Sequence, residues 1–390
     1  MTIAVPVEFA DEGLTAEIAD DLATVETALR ETSFGGDDMF AEVSRHMMEA
    51  GGKRFRAMLV LLAARFGDSR DKRIVPAAVA IELTHLATLF HDDVMDEAVI
   101  RRGHPSANSM FGNSVAILAG DYLFARASRI LADLGPDAIR IQAETFSRLV
   151  DGQLAETVGV RPGQEPLDHY MHVITEKTGS LIATSGRFGA MFSGAPDEVA
   201  ELIADACLRI GVAWQLSDDV LDVASTSLQS GKEPGTDLRQ GVRTLPVLYA
   251  LRADDGSAET GRLRSLLADA DLTDPEQSGK TPGTDLRQGV RTLPVLYALR
   301  SPAGHPAAQA AGQPEADQRL RWLLTEADLA DEALVTEALA LLRTHPALAE
   351  SRAHVLSWTQ DARNGLMALP DVPARAAFLA LCDFVEKRTG

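Results

Sequence analysis

Apolar residues along this chain recur at helical spacing, and long stretches lack the β-branched alternation that a sheet needs. Glycine and proline punctuate the pattern. The spacing predicts helices over about 15–31, 37–50, 54–66, 74–96, 107–134, 136–157, 168–192, 197–225, 244–252, 318–325, 331–343, 347–367 and 373–388. No Gly/Ser-rich linker interrupts the chain before residue 225, so the expectation is one all-α domain over 1–390. The longest apolar runs, such as residues 57–64, are too short to cross a membrane.

A repeat complicates the C-terminal half. Residues 229–252 read QSGKEPGTDLRQGVRTLPVLYALR and residues 277–300 read QSGKTPGTDLRQGVRTLPVLYALR, differing only at Glu233 and Thr281. Weaker similarity follows each copy, with RLRSLLADADLTD at 262–274 and RLRWLLTEADLAD at 319–331. Segments 229–276 and 277–333 thus read as a tandem in-frame duplication, tolerated as an insertion. Only one TLPVLYAL helix can fill one place in a core. We expect the first copy to pack and about 253–300 to form a surface excursion. The reverse arrangement stays open, because loop-closure entropy grows only slowly with length. Residues 301–317, rich in Pro, Ala, Gly and Gln, read as a surface loop.

Composition narrows the function. Apolar residues make up 46% and aromatics only 5%, which favours packed helices. The formal net charge of -20 repels nucleic acid and anionic lipid, so a nucleic-acid function is excluded. An anionic substrate would need locally gathered cations or a metal. Cys207 and Cys382 are far apart and lack metal-ligand spacing, which suits a reducing compartment. Residues 1–14 are acidic and carry no basic-then-apolar leader pattern, so a cytoplasmic location is expected.

Two aspartate clusters of identical spacing carry the sharpest chemistry. HDDVMD holds Asp92, Asp93 and Asp96, and SDDVLD holds Asp218, Asp219 and Asp222. On a helix, Asp92 and Asp96 share a face roughly 6 Å apart, as do Asp218 and Asp222. Like charges about 4 Å apart repel by about 1 kcal/mol in water and several-fold more near a protein surface. A single such cluster is more often a solvated acidic face. Two of them, flanked by Leu89-Phe90 and by Trp214 with Leu216, fit carboxylates that bridge Mg²⁺ to a diphosphate. Cations accompany them on a chain short of positive charge. Lys53 and Arg56 follow Gly51-Gly52 at a helix start, where backbone can approach a phosphate. Arg101-Arg102 follows the first cluster and suits bidentate phosphate contacts. Lys177-Thr178 lies in EKTG, and Lys232, Asp237, Arg239 and Arg243 follow the second cluster.

The ordered set GGKRFR, HLATLFHDDVMDEAVIRRG, EKTGSL, WQLSDDVLD and GKEPGTDLRQGVRTLP resembles the trans-isoprenyl diphosphate (polyprenyl) synthases, from about residue 45 to 252 and more loosely to the C-terminus. The resemblance implies an all-α isoprenoid-synthase bundle around a central active-site cavity, a homodimer, and Mg²⁺ held by both aspartate clusters. Position by position, it implies that Lys53, Arg56, His85 and Arg102 bind isopentenyl diphosphate. Arg101, Lys177, Thr178, Gln215 and Lys232 correspond to the allylic diphosphate site, for farnesyl or geranylgeranyl diphosphate. Asp92, Asp96, Lys177, Asp218 and Lys232 correspond to the residues that drive the reaction. Taken alone, a histidine on an apolar face is usually a packed core residue; the place of His85 before Asp92 matches the family.

The implied chemistry is ionisation of the allylic C–O bond, with Mg²⁺ and cations stabilising the departing diphosphate. The isopentenyl double bond attacks the carbocation, and a proton is then lost to the released diphosphate. In this family bulky residues four and five positions before the first aspartate close the product tunnel in short-chain makers. Here Thr88 and Ala87 are small, and so is Thr84 one turn deeper, at about 5.4 Å per turn. The resemblance therefore implies roughly seven to ten isoprene units, about C35–C50, along a wall rising that 5.4 Å per turn. The implied use is a quinone side chain, menaquinone in particular, with transient membrane contact for product release. The alternatives are a catalytically impaired or non-catalytic subunit of a heteromeric synthase, and a class I terpene cyclase. A non-catalytic subunit generally lacks the aspartate clusters. A cyclase rarely keeps GGKxxR and a second DDxxD.

Overall fold

The computed structural model describes residues 7, 9–33, 38–49, 51–101, 104–224, 244–246, 248, 319, 322–323, 340, 343 and 346–389. Apart from those positions, the duplicated segments and the loop at 301–317 lie outside the described residues.

Helix α1 spans Glu12–Ser33 and buries Leu14, Ile18, Leu22, Val25 and Leu29, a stripe with the helical period. It starts earlier than the apolar pattern suggested because the Leu14 N–H donates to Asp11 Oδ1 at 2.9 Å, an N-cap. Helices α2 (Asp38–Glu49) and α3 (Phe55–Ala63) follow, then α4 (Ile74–Met95). A two-residue antiparallel pair, β1 (Ile100–Arg101) and β2 (His104–Pro105), is the one sheet among the described residues. The sequence read 107–134 as one helix. The structure has α5 (Ala107–Phe111) and α6 (Asn113–Leu134), because Gly112 takes φ 83 and ψ 157. That backbone conformation is open to glycine and breaks the helix.

Helix α7 spans Pro136–Val158. The span read as 168–192 is likewise divided, into α8 (Pro166–Ile174), a π-helical turn (Thr175–Gly179) and α9 (Ser180–Phe192). Helix α10 runs Asp197–Ala224, α11 Pro346–Leu366 and α12 Pro373–Thr389.

The chain forms two compact units. The first comprises Met1–Leu149, Thr178–Gly211 and Gln360–Phe384, and the second Val150–Lys177, Val212–Thr359 and Val385–Gly390. In the first, α3 is buried on nearly every side. Helix α4 is long and apolar enough to cross a membrane, yet 72% of its most apolar window is buried within the protein. Two glycines let backbones meet there. A Cβ on Gly189 of α9 would lie 2.1 Å from the Val60 carbonyl oxygen of α3. One on Gly120 of α6 would lie 3.1 Å from that of Ala87 in α4 and 2.3 Å from His91 Nε2. Cys207 and Cys382 are both buried thiols, and burial, with Cys382 nearby, pushes the Cys207 thiol far up.

The second unit has its own core, formed by Ile174, Val212, Leu216, Val220, Val223, Val355 and Val385, with Trp214 and Tyr170 packed against it. Leu245 and Leu248, from the first repeat copy, are buried in this core.

Candidate active site

The first aspartate cluster ends α4, and the second lies in the last two turns of α10. A helix C-terminus carries about half a unit of negative charge and favours cations by typically 0.3–1 kcal/mol each. Neither helix has a basic residue in its last turn. Both clusters therefore add carboxylates to an end that is already negative.

Asp96 is the C-cap of α4, and the next residue, Glu97, is left-handed at φ 49. The Glu97 N–H donates to the Val94 carbonyl at 3.3 Å and the Ala98 N–H to that of Asp93 at 3.0 Å, a Schellman turn. Helix α9 ends in the same way, but there the left-handed residue is Gly194 at φ 74. A side chain in this conformation costs about 1 kcal/mol or more, strain that tends to gather at functional sites.

Within the first cluster the three carboxylates differ. Asp93 is fully buried and takes Arg101 of β1 on Oδ1, at 2.6 Å from Nε and 2.5 Å from a terminal nitrogen. Its Oδ2 is buried without a hydrogen bond. Asp92 is half-buried and Asp96 exposed, an i, i+4 pair on the accessible side. The second cluster repeats this division. Asp219, 4% exposed, accepts from the Tyr170 hydroxyl and from Gln215 Nε2, the latter at 3.1 Å. Asp218 and Asp222 are half-buried, and Asp218 accepts from Arg388 of α12. In each cluster the middle aspartate is anchored inward and the outer two form the i, i+4 pair.

Among the described residues no three His, Cys, Asp or Glu side chains converge as a ready metal site. The residues nevertheless fit a hard divalent ion such as Mg²⁺, which keeps several waters and takes one or two carboxylates together with substrate phosphates. Each outer pair supplies that many oxygens, and the negative helix end that carries each cluster favours a cation beside it.

The expected phosphate-binding cations sit on a rigid base. Lys53 is exposed and Arg56 half-buried, on either side of Arg54 and Phe55, which are buried. Arg54 is left-handed at φ 48, and its Nε donates to Glu26 Oε2 of α1 at 2.7 Å, with Glu82 of α4 at 3.9 Å. Burial works against the Arg54 charge, but the Glu26 hydrogen bond and the Glu82 and Glu26 charges outweigh it and hold the pKa above the ordinary value. For Glu26, burial pushes upward, and the Arg54 and Arg30 contacts overcome it to leave the carboxyl below its usual range. Glu82 Oε1 also accepts the Ala57 N–H at 3.0 Å, so a carboxylate from α4 caps the start of α3.

His85 and Thr88 lie half-buried on α4, and the Thr88 hydroxyl donates to the His85 carbonyl at 2.8 Å. Ala87 and Thr84 are fully buried, and Gln142 Nε2 of α7 donates to Thr84 Oγ1 at 2.8 Å. Lys177 and Thr178 lie on the π-helical turn, a feature that often marks functional positions. Lys177 pairs with Glu156 of α7. Arg102, Lys232, Asp237, Arg239 and Arg243 lie outside the described residues. The structure thus joins Arg101 to Asp93 and Gln215 to Asp219. Tyr170, Glu156 and Arg388 are partners that no local motif announced, since each meets its aspartate or lysine from a distant part of the chain.

The polyprenyl synthetase family model matches residues 37–272. The chain is 40% identical to the nonaprenyl diphosphate synthase of Mycobacterium tuberculosis over 390 residues, covering 100% of this chain and 98% of that protein. Its structure is similar to that of geranylgeranyl pyrophosphate synthase from Corynebacterium glutamicum complexed with calcium and isoprenyl diphosphate. That likeness has a TM-score of 0.73 and 37% identity over 98% of this chain and 100% of the other. It is similar also to a decaprenyl diphosphate synthase from Rhodobacter capsulatus, with a TM-score of 0.73 and 28% identity over 97% and 99% of the two chains. With both aspartate clusters, their helix-end setting and an all-α fold alike over the full length, the chain belongs to the polyprenyl synthetase family and is a trans-prenyl diphosphate synthase, a prenyltransferase of isoprenoid synthesis that works with a divalent metal.

Proposed function

We propose that this enzyme condenses isopentenyl diphosphate head-to-tail onto farnesyl or geranylgeranyl diphosphate, with Mg²⁺, to give a long-chain all-trans polyprenyl diphosphate. The observation that carries the length is the full-length similarity to a nonaprenyl diphosphate synthase. The small side chains of Ala87, Thr88 and Thr84 agree with it.

In this reading Lys53, Arg56, His85 and Arg102 bind the diphosphate of isopentenyl diphosphate. Arg101, Lys177, Thr178, Gln215 and Lys232 serve the allylic diphosphate. Asp92 and Asp96, and likewise Asp218 and Asp222, ligate the ions directly, while Asp93 and Asp219 complete the set as anchored neighbours. Mg²⁺, when bound, supplies positive charge against the negative charge that develops on the departing diphosphate. Lys177 and Lys232 add to that stabilisation, and apolar helix faces keep water from the carbocation. The product would furnish a quinone side chain, menaquinone in particular, and a strain lacking the enzyme would then lose its long-chain menaquinone.

A shorter product is the second reading. It is favoured by the similarity to a geranylgeranyl pyrophosphate synthase and by the Thr84–Gln142 hydrogen bond, which engages the small side chain one turn before Thr88. Ala87→Phe separates the two. If chain grows past Ala87, the product shortens by several isoprene units; an unchanged distribution refutes the tunnel assignment.

Burial of Leu245 and Leu248 supports the first repeat copy as the packed one, with Lys232 as its phosphate ligand. Lys232→Ala should then abolish turnover and Lys280→Ala spare it; the opposite pattern reverses the assignment. A homodimer is supported by the exposed apolar stripe of α7, where Ile139, Phe146, Val150, Leu154 and Val158 recur at helical spacing. A cytoplasmic enzyme with transient membrane contact for product release agrees with the burial of α4.

A further inference from the structure

Asp218 and Asp219 are adjacent in the second cluster. Asp219 accepts hydrogen bonds from the Tyr170 hydroxyl and the Gln215 amide. Asp218 is held by a cation, the Arg388 guanidinium. Arg388 is fixed by more than that pair. One terminal nitrogen donates to Ser217 Oγ at 3.2 Å, and the guanidinium carbon lies 4.3 Å from the centre of the Trp214 ring. The Ser217 hydroxyl donates in turn to the Trp214 carbonyl at 2.9 Å, which leaves its lone pairs toward Arg388. A charge-assisted hydrogen bond and a cation–π contact together give the guanidinium a defined seat at the negative end of α10.

We propose that Arg388 is a counter-ion of Asp218 and competes with the divalent ion for that carboxylate. This rests on the reading that the cluster holds Mg²⁺. The guanidinium and the ion want the same carboxylate lone pairs and repel each other at contact distance. The Tyr170 hydroxyl and the Gln215 amide are neutral and impose no such conflict in their bonds to Asp219. The arrangement keeps the carboxylate ordered without metal, and it weakens metal binding by the strength of the arginine contact. A hydrogen bond between charged groups corresponds to roughly a tenfold shift in affinity or more. Trp214 should report the exchange, because the cation leaves its ring face as the ion binds.

The test is Mg²⁺ titration of the full chain by calorimetry and by tryptophan emission, for wild type, Arg388→Gln, Arg388→Lys and Trp214→Phe. Arg388→Gln should bind Mg²⁺ about tenfold more tightly, with Arg388→Lys between it and wild type. The Mg²⁺-dependent emission change should vanish in Trp214→Phe and in Arg388→Gln. Equal or weaker Mg²⁺ affinity in Arg388→Gln, with native circular dichroism, overturns the competition. Should Arg388→Gln fail to fold, the lysine variant decides alone: affinity no tighter than wild type refutes the proposal. Absence of Mg²⁺ binding by wild type and variants alike would refute the metal role of the second cluster itself, and the inference with it.

Discussion

Replacing Gly152 with alanine would strike the EKTG segment from behind. Gly152 lies on α7, and a Cβ built there falls 2.5 Å from the Lys177 backbone nitrogen and 3.1 Å from the Glu176 carbonyl carbon. Ordinary contact begins near 3.4 Å, so the π-helical turn or α7 must give by about 0.9 Å. The obstacle is backbone, which has no rotamer to move aside. Alanine in a helix is favoured over glycine by about 1 kcal/mol, whereas overpacking costs about 1–3 kcal/mol, so the fold should lose at most about 2 kcal/mol. The effect on turnover should be larger. A shift near 1 Å carries Lys177 and Thr178 with it, and misplacement of that size can cost about 100-fold. The assay is steady-state condensation of isopentenyl diphosphate with farnesyl diphosphate, alongside thermal unfolding. Gly365→Ala is the control, a helical glycine with open space around its Cβ, where alanine should leave turnover unchanged and stabilise slightly. Gly152→Ala turning over within twofold of wild type would refute the positioning of Lys177 by this contact.

Arg54→Met should destabilise the fold by about 3–5 kcal/mol, because it strands Glu26 and Glu82 without their buried partner. Urea unfolding measures this, and the loss should depend on pH. The folded pKa of Glu26 is depressed, so its contribution is present above the unfolded value near 4.5 and is lost as the pH falls through the folded value. The gap between wild type and variant should therefore narrow below about pH 4.5, and a constant gap would contradict the pairing. Leu154→Glu, on the exposed stripe of α7, should sediment as a monomer if that stripe joins two copies; an unchanged assembly places the interface elsewhere.

The helices were legible where one face repeats without interruption, as in α1 with Leu14, Ile18, Leu22, Val25 and Leu29. They were not legible where backbone geometry changes while the apolar pattern continues. Gly112 separates α5 from α6 by its φ of 83, yet apolar residues stand on both sides at helical spacing. The π-helical turn at Thr175–Gly179 likewise hides inside an amphipathic run. In the site, the i, i+4 aspartate pairs could be read directly, because helix geometry alone puts them on one face. Which aspartate turns inward depends on partners remote in the chain. Tyr170 meets Asp219 across 49 positions and Arg388 meets Asp218 across 170, and no local spacing carries that information. Within GGKRFR the sequence pointed to Lys53 and Arg56 as the phosphate ligands and gave Arg54 no role. Burial of Arg54 between Glu26 and Glu82 separates it from Lys53 and Arg56 and gives it a structural task.

Incubation of the full chain with isopentenyl diphosphate, farnesyl diphosphate and Mg²⁺, followed by chain-length analysis, tests the central claim most directly. A Mg²⁺-dependent ladder ending in a long polyprenyl diphosphate, absent with Asp92→Asn or Asp218→Asn, is the expected result. A product that stops after one condensation would contradict the long-chain assignment, and no condensation by the folded protein with any allylic primer would contradict its action as a synthase.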